Sequence, residues 1–270
     1  MKKTALITGI SGQDGAYLAK LLLNKNYKVI GSDRRSSRAS LWRLKRLGIE
    51  KKVIMEELEL SELYDIKRLV QKYKFNEIYN LGAQSFVKSS FNSPLYTSNV
   101  TGTSVLKILE TIREINPKTK FYQASSSEMF GGSEKIVLNE DSLFEPKSPY
   151  AAGKVFAHNI TKVYRESYNI FAVNGILFNH ESPHRGETFV TRKITRAVGR
   201  IYNELQTNLT LGNLDASRDW GYAGDYTDGM FAMMQHESPD DWVLATGETH
   251  TVKEFLEVAF KSVDLDWEKY

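Results

Sequence analysis

The chain has 270 residues, of which 41% are hydrophobic and 26% charged, and its formal net charge is +3. This composition is that of an ordinary globular protein, and without a long basic tract we expect no nucleic-acid partner. The absence of cysteine excludes disulfides and thiolate chemistry. We find no apolar run long enough for a membrane span or a signal-peptide core, so we expect a cytoplasmic protein without a membrane partner.

The first predicted strand runs directly into a glycine-rich turn, which an amphipathic helix follows. Glycines stand at positions 9, 12 and 15. In dinucleotide-binding turns such glycines allow a tight bend, close approach of the pyrophosphate, and packing of the helix on the strand. The free N–H groups of the first helical turn then face the anion. We therefore predict a dinucleotide site formed by Gly9, Ile10, Ser11, Gly12, Gln13, Asp14 and Gly15.

Predicted strands alternate with predicted helices through the first two thirds of the chain. The alternation predicts an α/β fold of the Rossmann type, a doubly wound parallel sheet with helices on both faces. The strands are expected at Thr4–Thr8, Lys28–Gly31, Lys52–Leu58, Glu77–Leu81, Phe121–Ala124 and Phe171–Ile176. The helices are expected at Asp14–Asn24, Ser61–Tyr73, Tyr96–Ile115 and Ala151–Tyr168, with a later one at Lys193–Leu205.

The sequence becomes polar and loop-rich after Ile176. We expect residues 1–176 to form the dinucleotide-binding domain. Residues 177–270 are expected to form a smaller C-terminal substrate-binding lobe that returns in part to the first domain. Sheets of this kind bind ligands beyond the carboxyl ends of their strands, so catalytic groups are expected there.

A serine cluster follows the fifth predicted strand, and Tyr150 and Lys154 lie one helical turn apart at the start of the next helix. A neighbouring ammonium lowers the pKa of a phenol from about 10. Tyr150 could then take the proton of a substrate hydroxyl while hydride leaves the same carbon for a nicotinamide, with Ser126 hydrogen-bonded to the same oxygen. The alternative is a surface pair, but its position after the glycine turn and the serines favours catalysis.

Glu128, at the same strand end, decides between reaction types. A carboxylate in this position is commonly a helix cap or an ion-pair partner. Together with Tyr150 it indicates a second centre of proton transfer. Oxidation of one sugar carbon acidifies the neighbouring C–H, and Glu128 could remove that proton and then protonate the departing hydroxyl. That sequence of steps is the reaction of a dehydratase.

These motifs together resemble the GDP-mannose 4,6-dehydratase family of the extended short-chain dehydrogenases/reductases. The resemblance extends along essentially the whole chain, and the block from Asn174 to Ala197 separates this family from its relatives. The matching stretches are Thr8–Gly15, Arg34–Ser37, Glu77–Ser85, Phe121–Glu128, Ser148–Lys154, Tyr164–Tyr168, Asn174–Pro183, Arg185–Ala197, Leu211–Asp215 and Arg218–Gly221.

The resemblance implies roles for individual residues. Catalytic positions are Ser126, Glu128, Tyr150 and Lys154, with Lys154 also on the cofactor ribose. Cofactor contacts besides Gly9–Gly15 are implied at Arg34, Arg35, Glu59, Leu60, Leu81, Gly82, Ala83, Gln84, Ser85, Tyr96, His180 and Arg185. Substrate contacts are implied at Ser85, Ser126, Glu128, Tyr150, Asn179, Lys193 and Arg218. For Arg218 the alternative is a surface arginine beside Asp219.

The resemblance implies NADP as cofactor, because the paired Arg34 and Arg35 suit its extra phosphate. Asp33 before them is the residue type that holds the ribose 2′-hydroxyl of NAD, so NAD remains open. Other departures from the family pattern are Glu59 in place of aspartate, Gly82 in place of alanine and Phe86 in place of histidine.

The family further implies GDP-mannose as substrate, no metal, and a homodimer or homotetramer. Helices such as Tyr96–Ile115 and Ala151–Tyr168 would pair the subunits, and the Arg34–Arg38 region would join a tetramer. Family members normally continue for several dozen residues beyond the position of Tyr270. We therefore expect a substrate lobe that is either truncated at its C-terminus or a short variant of the family's lobe.

Two other functions stay open from the sequence. A nucleotide-sugar epimerase or reductase on the same fold would need Tyr150 and Lys154 but not Glu128. The second open function is that of an inactive cofactor-binding protein, which acts as a sensor or scaffold. The intact serine, tyrosine and lysine set argues against that last function.

Overall fold

A central sheet of seven strands organises the chain, whose computed structural model describes residues 2–35, 41–131 and 137–270. All neighbouring strands of this sheet run parallel. The strands of the central sheet and of two small sheets are numbered together along the chain. They are β1 (Thr4–Thr8), β2 (Lys28–Asp33), β3 (Ile54–Glu57), β4 (Glu77–Asn80), β5 (Lys120–Ser126), β6 (Ala172–Leu177), β7 (Asn179–Glu181), β8 (Ser217–Arg218), β9 (Trp220–Tyr222), β10 (Asp241–Leu244) and β11 (His250–Thr251).

The order of strands across the central sheet is β10-β6-β5-β4-β1-β2-β3. The chain starts at β1 inside the sheet, moves outward to β2 and β3, and then crosses back to β4 and continues the other way. Between β1 and β4 the direction of winding therefore reverses. In such sheets the crevice beyond the carboxyl ends of the strands at this reversal is the ligand site. The predicted doubly wound, Rossmann-type α/β fold is confirmed.

Helices cover both faces of the central sheet because successive strand residues point to opposite faces. Ala5 and Ile7 of β1 pack in a core with the helices Gln13–Asn24 (α1) and Ala223–Gln235 (α9). Leu6 packs in the core on the other face with the helices Leu63–Tyr73 (α3), Ser104–Ile115 (α6) and Pro149–Tyr168 (α7). The helices are α1 (Gln13–Asn24), α2 (Trp42–Arg46), α3 (Leu63–Tyr73), α4 (Val87–Asn92), α5 (Pro94–Ser98), α6 (Ser104–Ile115), α7 (Pro149–Tyr168), α8 (Val190–Tyr202), α9 (Ala223–Gln235) and α10 (Val252–Lys261). Short 3₁₀ helices occur at Glu50–Lys52, Ser127–Phe130 and Trp267–Lys269.

Two predicted helices differ from the structure. The helix expected at Tyr96–Ile115 begins at Pro94 and is interrupted by a π-helical turn over Asn99–Thr103. Within this turn, an added Cβ at Gly102 would lie 3.2 Å from the carbonyl oxygen of Gly153 in α7, so the widened turn accompanies a close helix contact.

The helix expected at Lys193–Leu205 instead spans Val190–Tyr202. Its N-cap, Phe189, makes no side-chain capping hydrogen bond, so the sequence carries no capping signal for the start. Beyond its end, Glu204 adopts a left-handed backbone conformation with φ of 58°, which does not continue a helix.

The chain divides into two units by its internal contacts. The first comprises the residues up to Leu177 together with Gly224–Leu244, and the second comprises Phe178–Ala223 and Ala245–Tyr270. The returning segment Gly224–Leu244 thus supplies most of α9 to the first unit and the strand β10 to its central sheet.

The second unit has its own small core. In it, β7 pairs with β9 in parallel and β8 pairs with β11 in antiparallel orientation. One face of α8 packs against one face of α10, at helical spacings of three and four residues. The core residues are Ile194, Val198, Ile201, Val252, Leu256 and Phe260.

None of the helices in the described ranges combines the length and the apolar character needed to cross a lipid bilayer.

Candidate active site

A cavity of about 280 Å³ lies in the first unit at the carboxyl ends of β1, β2 and β4. Most of the residues predicted to bind the cofactor line this cavity. The predicted residues that line it are Gly9, Ser11, Gly12, Arg34, Glu59, Leu60, Leu81, Gly82, Ala83, Gln84, Ser85 and Tyr96. Thr8, Ser32, Asp33, Leu58 and Val100 also line it. Ile10, Gln13, Asp14, Gly15, Arg35 and Lys154 do not, and His180 and Arg185 belong to the second unit.

The glycine turn leaves no room for side chains at two of its glycines. Gly9 has a φ of +68°, and a Cβ there would lie 2.9 Å from the Cα of Gly82. A Cβ at Gly15 would lie 2.6 Å from the carbonyl oxygen of Gly9. Helix α1 begins immediately after Gly12 without a side-chain cap. No capping side chain therefore accepts from the backbone N–H groups of its first turn. Such a helix start fits the pyrophosphate of a nicotinamide dinucleotide.

At the end of β2, Asp33 is held by two donors. The Ser11 hydroxyl donates to one carboxylate oxygen, and the backbone N–H of Arg34 donates to the other at 2.9 Å. The Arg34 guanidinium donates to the Tyr96 hydroxyl at 3.0 Å. One wall of the cavity thus presents a carboxylate with both oxygens engaged and an exposed cation. The sequence did not predict the contact between Ser11 and Asp33.

Arg35, next in the chain, is exposed. The remainder of the Arg34–Arg38 segment named for tetramer contacts, residues 36–38, lies outside the described residues. Ser37, which ends the motif Arg34–Ser37, is among them.

Ser126 ends β5 and begins the 3₁₀ helix Ser127–Phe130. Its hydroxyl oxygen accepts a hydrogen bond from the backbone N–H of Glu128 at 3.3 Å, so the serine caps this short helix. The side chains of Ser126 and Glu128 are half-buried, whereas Met129 and Phe130 are buried. The two hydrophobic anchors fix the turn in the core and leave the two polar groups accessible at the strand end.

Helix α7 begins at Pro149, and Ser148 caps it by accepting from the N–H of Ala151 at 3.1 Å. The first turns bury Tyr150 and Lys154, which are 8% and 4% exposed. The Lys154 Nζ atom lies 5.7 Å from the centre of the Tyr150 ring. The predicted pair is thus a buried pair rather than a surface one, in contact with β5 through Lys154.

Lys154 Nζ donates a hydrogen bond of 2.5 Å to the carbonyl oxygen of Ala124 in β5. Burial lowers the pKa of this ammonium from 10.5 to about 8, although the charge of Asp14 acts to raise it. Desolvation is the larger effect because it penalises the charged form.

A chain of buried hydrogen bonds, which the sequence did not predict, leads from the glycine turn to Lys154. The Thr8 hydroxyl donates to Asn80 Oδ1 at 2.8 Å, and the Asn80 amide donates to Gln123 Oε1 at 2.8 Å. The Gln123 amide then donates to the carbonyl of Ala124 at 3.0 Å, the same oxygen that Lys154 contacts. The signal in the sequence was a polar residue in each of three neighbouring strands, Thr8, Asn80 and Gln123.

Three predicted site residues lie near the start of the second unit. Asn179 and His180 belong to β7, and His180 is buried with its Nδ1 atom 2.7 Å from the carbonyl oxygen of Phe178. Arg185 forms an ion pair of 3.2 Å with Glu181 and lies over the Phe189 ring at 3.8 Å. These contacts fix the orientation of Arg185.

Lys193 and Arg218 are exposed cations of the second unit. Lys193 donates to the carbonyl oxygen of Thr210 at 2.6 Å and lines a shallow basic depression with Arg196 and Arg200. In the described part of the chain, Arg218 forms no ion pair with the neighbouring Asp219. Its carboxylate instead accepts hydrogen bonds from Thr246 and Gly247.

The buried ammonium should lower the stability of the native protein at neutral pH. We expect Lys154→Met to raise the free energy of unfolding at pH 7 by about 1 to 3 kcal/mol, because the charge is removed from the interior. The native pKa lies below the unfolded one, so the unfolded state binds more protons between about pH 8 and 10.5. Wild-type stability should therefore rise towards that of the variant across this range.

Urea unfolding of both proteins between pH 7 and 10.5 measures this difference. Lys162→Met, on the exposed face of the same helix, is the matched control and should change little. A Lys154→Met protein that is less stable than the wild type at every pH would contradict a cost of burying the charge.

Comparison with known proteins gives a consistent family. The sequence model of the family described as GDP-mannose 4,6 dehydratase matches residues 6–270. A relative named GDP-mannose 4,6 dehydratase 1 from Arabidopsis thaliana is 51% identical over the whole of this chain, which spans 77% of that relative. The human GDP-mannose 4,6 dehydratase is 48% identical over 96% of this chain and 72% of its own length.

A solved structure of dTDP-glucose 4,6-dehydratase from Bacillus anthracis str. Ames in complex with NAD shares the fold. Its TM-score is 0.85 at 18% identity, covering 99% of this chain and 83% of that one. The family match and the identity to its members lead to one conclusion. The chain belongs to the GDP-mannose 4,6-dehydratase family.

Proposed function

We propose that this chain is a hydro-lyase that converts GDP-mannose to GDP-4-keto-6-deoxymannose. Membership of the family supports the substrate and the reaction. The observation that carries the assignment is the grouping of polar residues around the end of β5. Lys154 is buried against Ala124 there, beside Tyr150, and the next residues of the same strand end include Ser126 and Glu128.

A bound nicotinamide supplies the redox chemistry, as acceptor of the sugar C4 hydride and later as its donor to C6. Tyr150 takes the proton of the C4 hydroxyl in this proposal. The Lys154 ammonium favours the phenolate form of Tyr150 by its charge. Ser126 donates a hydrogen bond to the C4 oxygen, which orients the hydroxyl towards Tyr150.

Glu128 carries the elimination. Once C4 is a ketone, the C5 hydrogen is acidic, and the Glu128 carboxylate removes it as a general base. The same group, now protonated, gives its proton to the hydroxyl leaving C6 as water. The half-buried position of Glu128 on a capped 3₁₀ helix supports this role, because a general base must be held within reach of the proton that it removes.

The nucleotide-sugar diphosphate requires cations, and the second unit supplies them. We assign Lys193 and Arg218 to the diphosphate, and we assign Asn179 and Ser85 to polar contacts with the substrate. Arg218 suits a diphosphate because a guanidinium can donate two parallel hydrogen bonds. Its exposure, and the engagement of Asp219 elsewhere, leave its charge available.

For the cofactor we propose NADP. Arg34 and Arg35 directly follow β2 and carry two positive charges, and the Tyr96 hydroxyl orients the first of them on the cavity wall. Asp33 argues for NAD, but Ser11 and the N–H of Arg34 already engage its two oxygens. We assign His180 and Arg185 to further cofactor contacts.

The proposal includes a homodimer or homotetramer acting in the cytoplasm. Large apolar side chains of α4, α5 and α7 are exposed and could cover one another between subunits. They are Phe91, Leu95, Phe156, Val163 and Tyr168.

The isotope pattern of the product tests the reaction. In heavy water, GDP-mannose should give a 4-keto-6-deoxy product with solvent deuterium at C5, because the original C5 proton leaves with the C6 hydroxyl as water and C5 takes a new proton from solvent when hydride returns to C6. A deuterium placed at C4 of the substrate should appear at C6. Mass spectrometry and NMR of the product measure both. An epimer that retains its C6 hydroxyl would identify an epimerase instead, and unchanged substrate would refute the proposal.

Replacement of Glu128 separates elimination from binding. Glu128→Gln keeps the shape of the side chain but removes the base, so kcat should fall by about 100-fold or more. The Kd values for NADP and GDP-mannose, measured by calorimetry, should stay within about twofold of the wild type. Glu166→Gln, an exposed change on α7, is the control. Normal turnover by Glu128→Gln would show that another group performs the elimination.

Cofactor preference rests on Arg34. Arg34→Ala removes a charged donor, so the Kd for NADP should rise about 10-fold or more while the Kd for NAD changes little. Asp33→Asn should strengthen NADP binding, because it removes a negative charge near the 2′-phosphate. Calorimetry with each dinucleotide measures these effects, and Lys51→Ala is an exposed control. Equal affinity of the wild type for NAD and NADP would refute the preference.

A further inference from the structure

A buried histidine that has no part in the proposed chemistry lies two turns beyond Tyr150 on α7. His158 is 4% exposed and follows Tyr150 and Lys154 at intervals of four residues, so all three share one face of the helix. Its Nδ1 atom lies 3.2 Å from the hydroxyl of Ser125, and its Nε2 atom lies 3.5 Å from a carboxylate oxygen of Asp241. Both ring nitrogens therefore face a partner.

The Asp241 side of this cluster is firmly held. The carboxylate of Asp241 accepts hydrogen bonds of 2.8 Å from Arg165 and from the amide of Asn174. Asn174 also donates to the backbone carbonyl of His158 at 3.1 Å. Burial acts to raise the pKa of Asp241, but the hydrogen bonds from His158 and Arg165 outweigh it and hold this pKa well below its usual range. Asp241 is thus a fixed anion that anchors Nε2–H of His158.

The other ring nitrogen, Nδ1, is hydrogen-bonded to the Ser125 hydroxyl at 3.2 Å. The same hydroxyl lies 3.4 Å from the Oδ1 atom of Asn174, which also holds Asp241. Ser125 is buried and directly precedes Ser126 at the end of β5. The hydrogen bond therefore fixes the strand residue next to the one proposed to touch the substrate.

The ring of His158 is also linked, through the ring of Phe144, to the segment that carries Glu128. The ring of Phe144 packs edge-on against His158 at 4.9 Å and lies 5.2 Å from the ring of Phe130. Phe130 ends the 3₁₀ helix Ser127–Phe130. His158 is thus connected to both sides of the segment from Ser126 to Phe130, directly through Ser125 and indirectly through Phe144.

We infer that His158 is a positioning residue, which holds Ser126 and Glu128 in place through its hydrogen bond to Ser125 while Asp241 fixes its ring. The inference rests on the proposed function, since it assigns His158 to the geometry of that site. His158 acts through Ser125 and touches neither substrate nor cofactor.

Two amide substitutions distinguish the two hydrogen bonds. An asparagine amide reaches the place of Nδ1 and can accept from Ser125, whereas a glutamine amide reaches the place of Nε2 and can donate to Asp241. His158→Asn should keep kcat for GDP-mannose within about threefold of the wild type. His158→Gln and His158→Phe should lower kcat about 10-fold or more, because small displacements of catalytic groups slow the reaction strongly. KM should stay within about twofold in all three.

Ser125→Ala should lower kcat as much as His158→Gln does, and the double variant should be no worse than either, because both changes break the same contact. His250→Asn replaces an exposed histidine of the second unit and serves as the control. Similar Tm values among the variants would show that each comparison concerns a folded protein.

Hydrogen exchange gives a readout that does not depend on activity. In His158→Gln, the amides of residues 124–130 should exchange several-fold faster than in the wild type, and those of β1 and β4 should be unchanged. His158→Asn should behave like the wild type. If the wild type fails to convert GDP-mannose, the proposed function fails, while the exchange pattern still judges the positioning role. Equal kcat and equal exchange in His158→Gln and His158→Asn would overturn the inference.

Discussion

The structure around the site depends on the burial of one ammonium group, that of Lys154, against a backbone carbonyl. Its hydrogen-bond partner is the oxygen of Ala124, which carries only a partial charge. Burial lowers the pKa of Lys154 to about 8, so the ammonium is maintained at a cost in free energy. The rest of the fold has to fix both the helix that carries Lys154 and the strand that receives it.

Polar side chains inside the sheet meet this requirement. Thr8, Asn80, Gln123 and Asn174 occupy register positions on neighbouring strands, and Asp241 continues the row on β10. Buried polar groups are tolerated when each finds a partner. On one side, the row is hydrogen-bonded from Thr8 to the carbonyl that Lys154 contacts. On the other side, Asn174 and Asp241 hold His158.

The returning segment Gly224–Leu244 contributes a residue to this row of polar side chains. It brings Asp241 beside Asn174 at the edge of the sheet, far in sequence from the helix that carries His158. The glycine turn at the other end of the same polar row is shaped by close backbone approach, as the contacts of Gly9 and Gly15 demonstrate. One row of side chains therefore extends from the glycine turn to the network behind the strand end of β5 that we propose to be catalytic.

The sequence by itself determined the fold class, because alternating strands and helices with a glycine turn allow few other architectures. It also determined the family, the glycine turn after β1 and the presence of Tyr150 and Lys154 on one helical face. Local patterns could not locate the π-helical turn at Asn99–Thr103 or the start of α8, since a close contact with α7 accompanies the first and no capping residue marks the second. Only the tertiary structure could bring Ser125, His158 and Asp241 together. Hydrogen bonds between residues so far apart in the chain depend on strand order and register, which the periodicity of one sequence does not encode.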